Sequence, residues 1–194
     1  MKKIWPAVLC LLFLCSCSKE IDRAEAMQEQ YKNLASYETD VRVSVPREDE
    51  TLHYTLSLEH SNGETRAAVL APEALTGVGA VLEGDKLTLT FDDLVLDVGT
   101  LSPRVSALSC VPLVLQNFPK VYLDSSGAET LGDVDTLRAD FSLTLSGETL
   151  ACSLWLDASG APVYAEIAEN SKIIAAAEFT NFIFGDILSP DAVQ

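Results

Sequence analysis

The sequence predicts a mainly β fold (α+β), with one curved antiparallel sheet, or unclosed β-barrel, of about 9–11 strands. Two observations predict it. Apolar and polar residues alternate along most of the chain after residue 37, as in strands with one dry and one wet face. Short turns that carry glycine separate these runs, as in the hairpins of a meander. An N-terminal helix and a short apolar insert are predicted to cover the concave face.

The alternating runs are easy to follow along the chain. The clearest apolar stripes are Val41-Val43-Val45, Tyr54-Leu56-Leu58, Leu87-Leu89-Phe91, Leu94-Leu96-Val98, Leu137-Ala139-Phe141-Leu143-Leu145, Leu150-Cys152-Leu154-Leu156, Val163-Ala165-Ile167 and Ile173-Ala175-Ala177-Phe179. Turn residues lie between them at Ser61-Asn62-Gly63, Glu83-Gly84-Asp85, Ser146-Gly147-Glu148 and Ala158-Ser159-Gly160.

The first sixteen residues have the pattern of a lipoprotein signal peptide. Lys2 and Lys3 precede an uncharged apolar run that ends at Leu14, and this run is shorter than the roughly 20 residues that a membrane-spanning helix needs. Leu14-Cys15-Ser16-Cys17 has the form of a lipobox, with an aliphatic residue at −3 and a small one at −1. We therefore predict cleavage before Cys17 and lipidation of that thiol, and two acyl chains are enough for stable membrane anchoring.

Cleavage leaves a strongly acidic chain. Of 13 basic residues, two lie in the signal segment, so 11 remain against 29 acidic ones, a net charge of −18. Such a chain is repelled by nucleic acid and by anionic lipid, and we expect no nucleic-acid partner. The predicted location is the outer face of the cytoplasmic membrane, or the outer membrane in a Gram-negative envelope.

The mature chain is long enough for one domain with its own core. We predict a lipidated tether over 17–22, a single domain over 23–188 and a loose tail over 189–194. Residues 18 to 37 predict a helix, because apolar residues recur at three- and four-residue steps between polar ones, at Ile21, Ala24, Met27, Tyr31, Leu34 and Ala35.

The apolar insert runs from Ser106 to Phe118. Pro112 predicts that a regular helix starts near Val111, because proline is tolerated only in the first turn. A short helix that is apolar on all sides must be buried, and we expect it on the concave face. The alternative is a strand through 111–115.

Three further residues are singled out by their positions. Cys110 in the insert and Cys152 on an inward stripe can form a disulfide, which an exported chain permits, or remain two buried free thiols. Trp155 lies on the stripe opposite Leu154 and Leu156, so it is either an exposed contact residue or packed beneath the N-terminal helix or the tail.

We find no pattern of catalytic or metal-ligating residues in the mature sequence. His53 and His60 are seven residues apart on one strand, so they point to opposite faces and are interpreted as surface residues. Asp92-Asp93 and the group Asp133, Asp135 and Asp140 are interpreted as solvated turns and strand faces, without calcium-loop spacing. The sequence predicts a non-enzyme without a metal or other cofactor.

Three segments carry a family resemblance: Tyr31-Lys32-Asn33-Leu34-Ala35-Ser36-Tyr37, Leu70-Ala71-Pro72-Glu73-Ala74-Leu75-Thr76-Gly77-Val78 and the stretch from Leu156 to Ile167. With the lipobox before them, the chain resembles the LolA/LolB-like superfamily of lipoprotein carriers and their lipidated relatives, and looks most like the clostridial spore-germination (GerS-like) lipoproteins. The resemblance implies an unclosed barrel of about eleven strands with helices on its concave face. It implies an apolar cavity for acyl chains in some members, and support of a cell-wall amidase in the germination proteins. The chain has no segment that matches the membrane-inserting loop of the LolB type.

Two functions are therefore expected to compete. The first is a scaffold for an envelope or spore-cortex enzyme, and the alternative is a carrier or sensor of a lipid or other apolar ligand. An open cavity would favour the carrier, and a filled interior with an exposed aromatic or acidic patch would favour the scaffold. The residues predicted to form the cavity and its lid are Leu108, Val111, Leu115, Phe118, Tyr54, Leu56, Phe141 and Leu154.

Overall fold

The structure, a computed structural model, describes residues 16–185 except 85, 92–93, 101–105 and 146. The predicted signal segment over 1–15 and the predicted tail over 189–194 lie outside the described residues. The backbone of Cys17 is helical, but the structure does not describe its side chain. Among the residues described, no helix combines the length and the apolar character needed to cross a membrane.

The chain forms two α-helices and eleven strands within the described ranges. In chain order they are α1 Ser16–Lys32, β1 Ser36–Pro46, β2 Thr51–Ser61, β3 Glu64–Ala71, β4 Val78–Glu83, β5 Lys86–Phe91, β6 Leu94–Thr100, α2 Cys110–Asn117, β7 Leu123–Leu131, β8 Val134–Leu145, β9 Glu148–Leu156, β10 Pro162–Glu169 and β11 Lys172–Phe184. Short 3-10 turns lie at Glu73–Leu75 and Phe118–Lys120.

All eleven strands belong to one antiparallel sheet, in the order β6-β5-β4-β3-β2-β1-β11-β10-β9-β8-β7. Hairpins join the neighbours within each half, and β1 joins the halves by pairing with β11. The sheet has two edges, β6 and β7, so it does not close into a barrel. The mainly β, unclosed architecture predicted from the sequence is confirmed.

The period of two explains which face each strand buries. In β1 the odd-numbered side chains are buried, and they lie opposite the even-numbered ones of β2, as in the pairs Val41 with Leu56 and Tyr37 with His60. The same register continues from β2 to β3, where Leu56 pairs with Val69, so the buried side chains of these strands all lie on one face of the sheet. This concave face carries the core.

Helix α1 ends earlier than the sequence predicts. It stops at Lys32, and backbone hydrogen bonds from Asn33 and Leu34 to the carbonyls of residues 30 and 31 tighten its last turn. Tyr37, predicted as helical, pairs with His60 and Phe184 inside the sheet, because extended pairing buries its ring. Residues 17–22 lie in the first turns of this helix, and their role as a lipidated tether stays a prediction.

Buried contacts fasten α1 to the rest of the domain. The Gln28 amide donates to the carbonyl oxygens of Phe118, at 2.5 Å, and Val121, at 3.0 Å. Tyr31 packs edge-on against Phe118, and its hydroxyl donates to the carbonyl oxygen of Gly160 at 3.0 Å. The helix is therefore a structural layer over the sheet.

The insert forms helix α2, as expected, and not the alternative strand. It begins at Cys110, one residue before the predicted start, and Pro112 lies in its first turn, where no helical hydrogen bond is lost. Residues 110–115 are all buried. Val111 and Val114 face the small side chains of Ala165, Ala175 and Ala177, so α2 covers the concave face at β10 and β11.

Candidate functional site

The concave face divides into a filled half and an open half. In the filled half, Phe118, Phe141 and Leu154 are fully buried, and the Phe118 and Phe141 ring centroids lie 5.9 Å apart. Helices α1 and α2 cover this half, over β7 to β11. The predicted lid and cavity residues in this half belong to a closed core.

The open half contains an apolar groove of about 380 Å³ at the start of the insert. Three of the predicted residues, Tyr54, Leu56 and Leu108, lie in its wall. The other lining residues are Val45, Arg47, Val69, Leu75, Val78, Ser106 and Ala107. This volume lies in the range of small-molecule binding sites.

Beyond the groove the sheet leaves apolar side chains in solvent. Register places Phe91, Leu94 and Leu96 on the same face as Leu89 and Val78. Phe91 is 47% exposed, Leu94 72% and Leu96 61%. Neither α1 nor α2 covers these strands, and grouped apolar exposure of this kind marks a binding surface.

The remaining predicted lid residues differ in their surroundings. Val111 faces the alanines of β10 and β11, while Leu115 lines a second cavity at the other end of α2. The structure therefore distributes the predicted residues over a groove, a closed core and a second cavity. Val69 and Val78, which complete the groove, were missed because β3 and β4 were not recognised as strands.

The second cavity has a volume of about 280 Å³ and a mixed lining. Leu34, Leu115 and Pro119 give it apolar walls. Its polar lining residues are Tyr31, Lys32, Tyr37, His60, Gln116 and Lys120, and no carboxylate of the described chain lines it. The sequence analysis assigned a cavity role only to Leu115 among these residues, because the others lie in the segments 31–37 and 116–120 and at His60 on β2.

His60 is part of a polar network in this cavity. Its Nδ1 lies 2.8 Å from the Thr65 hydroxyl, which also accepts a hydrogen bond from the Gln116 amide at 3.1 Å. The imidazole stacks on the Tyr37 ring at 5.0 Å. Burial, and then the nearby positive charge of Lys120, lower the pKa of His60, so the ring is neutral at neutral pH. His53 is exposed and points to the other face, as predicted, whereas the interpretation of His60 as a surface residue is wrong, because its ring is half-buried in the cavity.

Trp155 is buried and not an exposed contact residue, and its contacts among the described residues come from neighbouring strands. It is 4% exposed although it lies on the convex face, because neighbouring side chains cover it. Its indole N–H donates to Glu129 at 2.9 Å, the Arg138 guanidinium lies 4.9 Å from the ring centroid, and Tyr164 packs beside it. A cation–π contact and a hydrogen bond allow this tryptophan to pack on a convex surface.

Cys110 and Cys152 are free thiols in the structure, and both are buried. Burial raises the pKa of each thiol to about 12, so both are protonated at neutral pH. This is the free-thiol alternative of the sequence analysis. Over the part of the chain that the structure covers, no three His, Cys, Asp or Glu side chains are grouped so as to hold a metal ion.

Comparison with known proteins finds relatives by structure only. No protein-family model and no curated protein matches the chain. A DUF1329 family protein from Desulfovibrio piger is similar at a TM-score of 0.50 and 12% identity, over 92% of this chain and 99% of that one. The LolA superfamily protein NE2245 from Nitrosomonas europaea is similar at 0.46 and 11%, over 88% and 96%.

A chain in the structure of the CwlD amidase from Clostridioides difficile in complex with the GerS lipoprotein is also similar, at a TM-score of 0.43 and 15% identity, over 88% of this chain and 97% of that one. At these identities the likeness concerns the fold alone. The chain forms an unclosed eleven-stranded half-barrel with helices on its concave face, and its likeness to the DUF1329 protein concerns this fold. The resemblance to the germination lipoprotein is one of several.

Proposed function

We propose that this chain is a non-catalytic lipoprotein of the cell envelope that carries or senses an apolar ligand in the open half of its half-barrel. The observation that supports the proposal is the groove of about 380 Å³ next to the exposed apolar residues Phe91, Leu94 and Leu96 of β5 and β6, here called the exposed wing. The lipobox at Cys17 supports export and anchoring. Of the two functions expected from the sequence, the open cavity favours the carrier.

The lining of the groove is mostly apolar, as a binding site for an acyl chain or a similar apolar ligand would be. Tyr54, Leu75, Val78 and Leu108 are the partly exposed apolar residues of its wall, and burial of each ligand methylene against such a wall contributes about 0.8 kcal/mol. Arg47 is the only charged residue among the described residues of the lining, and it can meet a polar end of the ligand. The exposed wing at β5 and β6 extends the same apolar surface.

A substitution that fills the groove tests the proposal. Ala107 is half-buried in the groove wall, so Ala107→Trp should occupy the space without removing a core side chain. Ala151, exposed on β9, provides the matched control Ala151→Trp. The probe is the neutral dye N-phenyl-1-naphthylamine, titrated by fluorescence into the mature chain carrying Cys17→Ser.

We expect the dye to bind the parent chain and the Ala151→Trp control with equal affinity, and Ala107→Trp to lose at least about tenfold, or 1.4 kcal/mol. Equal binding by all three proteins would contradict the assignment of the groove.

A second function, scaffolding of an envelope enzyme, is favoured by a separate observation. Val95 is 71% exposed and lies between Leu94 and Leu96 on the edge strand β6, so apolar groups are exposed on both faces of one unpaired edge. A ligand in the groove covers one face only, whereas a protein partner could cover both. Val95→Lys should weaken capture of such a partner from the native envelope and leave dye binding unchanged.

A further inference from the structure

The two edges of the sheet are built differently. On the β7 edge, side chains bond to the neighbouring strand: the Ser142 hydroxyl donates to Asp124 at 2.7 Å, and the Ser125 hydroxyl donates to Asp140 at 2.7 Å. A register shift between Leu123 and Ser125 also interrupts this strand. Charged side chains and bulges of this kind protect an edge strand from pairing with another chain.

On the β6 edge, three consecutive apolar side chains are exposed. Leu94 is 72% exposed, Val95 71% and Leu96 61%. Val95 lies opposite Thr90 and Leu96 opposite Leu89, so these groups lie on both faces of the strand. The register with β5 is continuous over these three residues, so no bulge turns them away from an incoming strand. The β6 edge is therefore open to pairing where the β7 edge is protected.

The outer backbone groups of β6 define what can cover this edge. Within the described residues β6 pairs only with β5, so alternate N–H and C=O groups along it point away from the sheet. A lipid tail offers these groups no donor or acceptor, and burying them unpaired costs free energy. An extended polypeptide pairs with them and covers both faces of the strand with its alternating side chains.

Net charge indicates which polypeptide fits. The chain has a formal net charge of −16 at neutral pH, so a second copy carries the same charge and is repelled. At the edge itself, Asp97 lies 3.5 Å from Lys86, so the two local charges balance and do not oppose an apolar strand. Long-range attraction therefore favours a segment that carries basic residues, and the exposed side chains favour apolar residues at its centre.

We propose that β6 is a docking strand for a basic segment of another protein. The segment adds to the sheet in an extended conformation, and its apolar side chains cover Leu94 and Leu96 on one face and Val95 on the other. The proposal rests on the scaffold function given above as the second candidate, and it names the kind of segment that the partner must offer. It does not depend on the groove.

Two synthetic peptides of matched length test the proposal. The probe is a short peptide in which valine and threonine alternate between pairs of lysines, and its counterpart carries glutamates in place of the lysines. Both are titrated by calorimetry into the full mature chain with Cys17→Ser. We expect the lysine peptide to bind at least about tenfold more tightly than the glutamate peptide at low ionic strength, and the difference to shrink as salt is added.

The role of the backbone and the position of the site are tested separately. N-methylation of two consecutive central residues removes a donor from each edge of the lysine peptide, so this form should lose binding. Val95→Lys should weaken binding of the lysine peptide at least about tenfold, whereas Ala128→Lys, which adds the same charge at an exposed position on the β7 edge, should leave it unchanged. Bound peptide should also slow hydrogen exchange in β6 and leave exchange in β7 unchanged.

Three results would overturn the proposal. They are equal binding of the lysine peptide and its N-methylated form, equal binding by the parent chain and Val95→Lys, and a dimer of the parent chain that Val95→Lys dissociates in sedimentation, because a second copy would then occupy the edge. If no peptide binds but capture of a partner from the native envelope still depends on Val95, strand addition is wrong and the scaffold function stands. If the peptides bind as expected but capture does not depend on Val95, the scaffold function alone fails.

Discussion

Phe118 joins the helical layer to the sheet, so its removal should destabilise the domain strongly. The side chain is fully buried, with Tyr31 at 5.3 Å on one side and Phe141 at 5.9 Å on the other. Truncation of a buried phenylalanine to alanine costs about 3–5 kcal/mol, through lost transfer free energy and the remaining cavity. Each aromatic contact contributes roughly 0.5–1.5 kcal/mol of such a loss.

The matched control is Phe91→Ala. Phe91 is 47% exposed on the uncovered wing, so its truncation should cost about 1 kcal/mol or less. Urea unfolding can be followed by the fluorescence of Trp155, which is the only tryptophan left after the predicted cleavage. With a slope of roughly 2 kcal/mol per molar urea, Phe118→Ala should lower the midpoint by about 1.5–2.5 M.

The two midpoints decide the result. If Phe118→Ala lowers the midpoint no more than Phe91→Ala does, the insert is not fastened to the core as the structure describes. The division into a filled and an open half would then be wrong.

The other predictions concern anchoring, the thiols and acid stability. Cys17→Ser should release the protein from membranes and stop lipid labelling, and a variant that remains bound and labelled would contradict the lipobox assignment. Alkylation without reductant should modify Cys110 and Cys152 only after unfolding, because both thiols are buried and burial raises their pKa. Thiols that stay unmodified after unfolding would indicate a disulfide. Burial raises the pKa of Asp140, but hydrogen bonds from Ser153, Ser125 and Arg138 outweigh it and lower the pKa overall, while the pKa of His60 is lowered by burial and Lys120. Both groups bind protons more readily in the unfolded state than in the folded state. The free energy of unfolding should therefore decrease as the pH drops below about 6.5, where His60 titrates, and again below about 4, where Asp140 titrates. Urea midpoints measured at pH 7.5, 5.5 and 3.5 check this, and His60→Asn should reduce the decrease between pH 7.5 and 5.5.

Periodicity predicted the fold class because the sheet has one buried face. In β1, β8 and β9 the alternation of buried and exposed residues is nearly unbroken, so the sequence pattern matches the burial pattern. Strand β7 was missed because it is an edge strand whose residues, from Asp124 to Thr130, are polar or small and mostly exposed. Without a buried face, an edge strand carries little periodic signal.

The candidate sites were harder to predict because they depend on which parts of the sheet the helices cover. Phe118, Phe141 and Leu108 have equivalent apolar character in the sequence, yet the first two are core residues and the third lines a groove. The sequence left the burial of Trp155 open, because the side chains that contact it, Arg138 and Glu129, lie on neighbouring strands. Cross-strand contacts of this kind depend on register, which one strand's pattern does not specify.

The central claim is that the open half of the half-barrel holds an apolar ligand in the native envelope. Mass spectrometry of an organic extract tests it most directly, since extraction separates a bound ligand from the acyl chains covalently attached to Cys17. The protein with its lipid anchor, purified from its own envelope in parallel with Ala107→Trp and Ala151→Trp, should yield the same apolar compound from the parent and Ala151→Trp, and little from Ala107→Trp. Equal yields from all three proteins, or no compound above background from the parent, would contradict the carrier assignment.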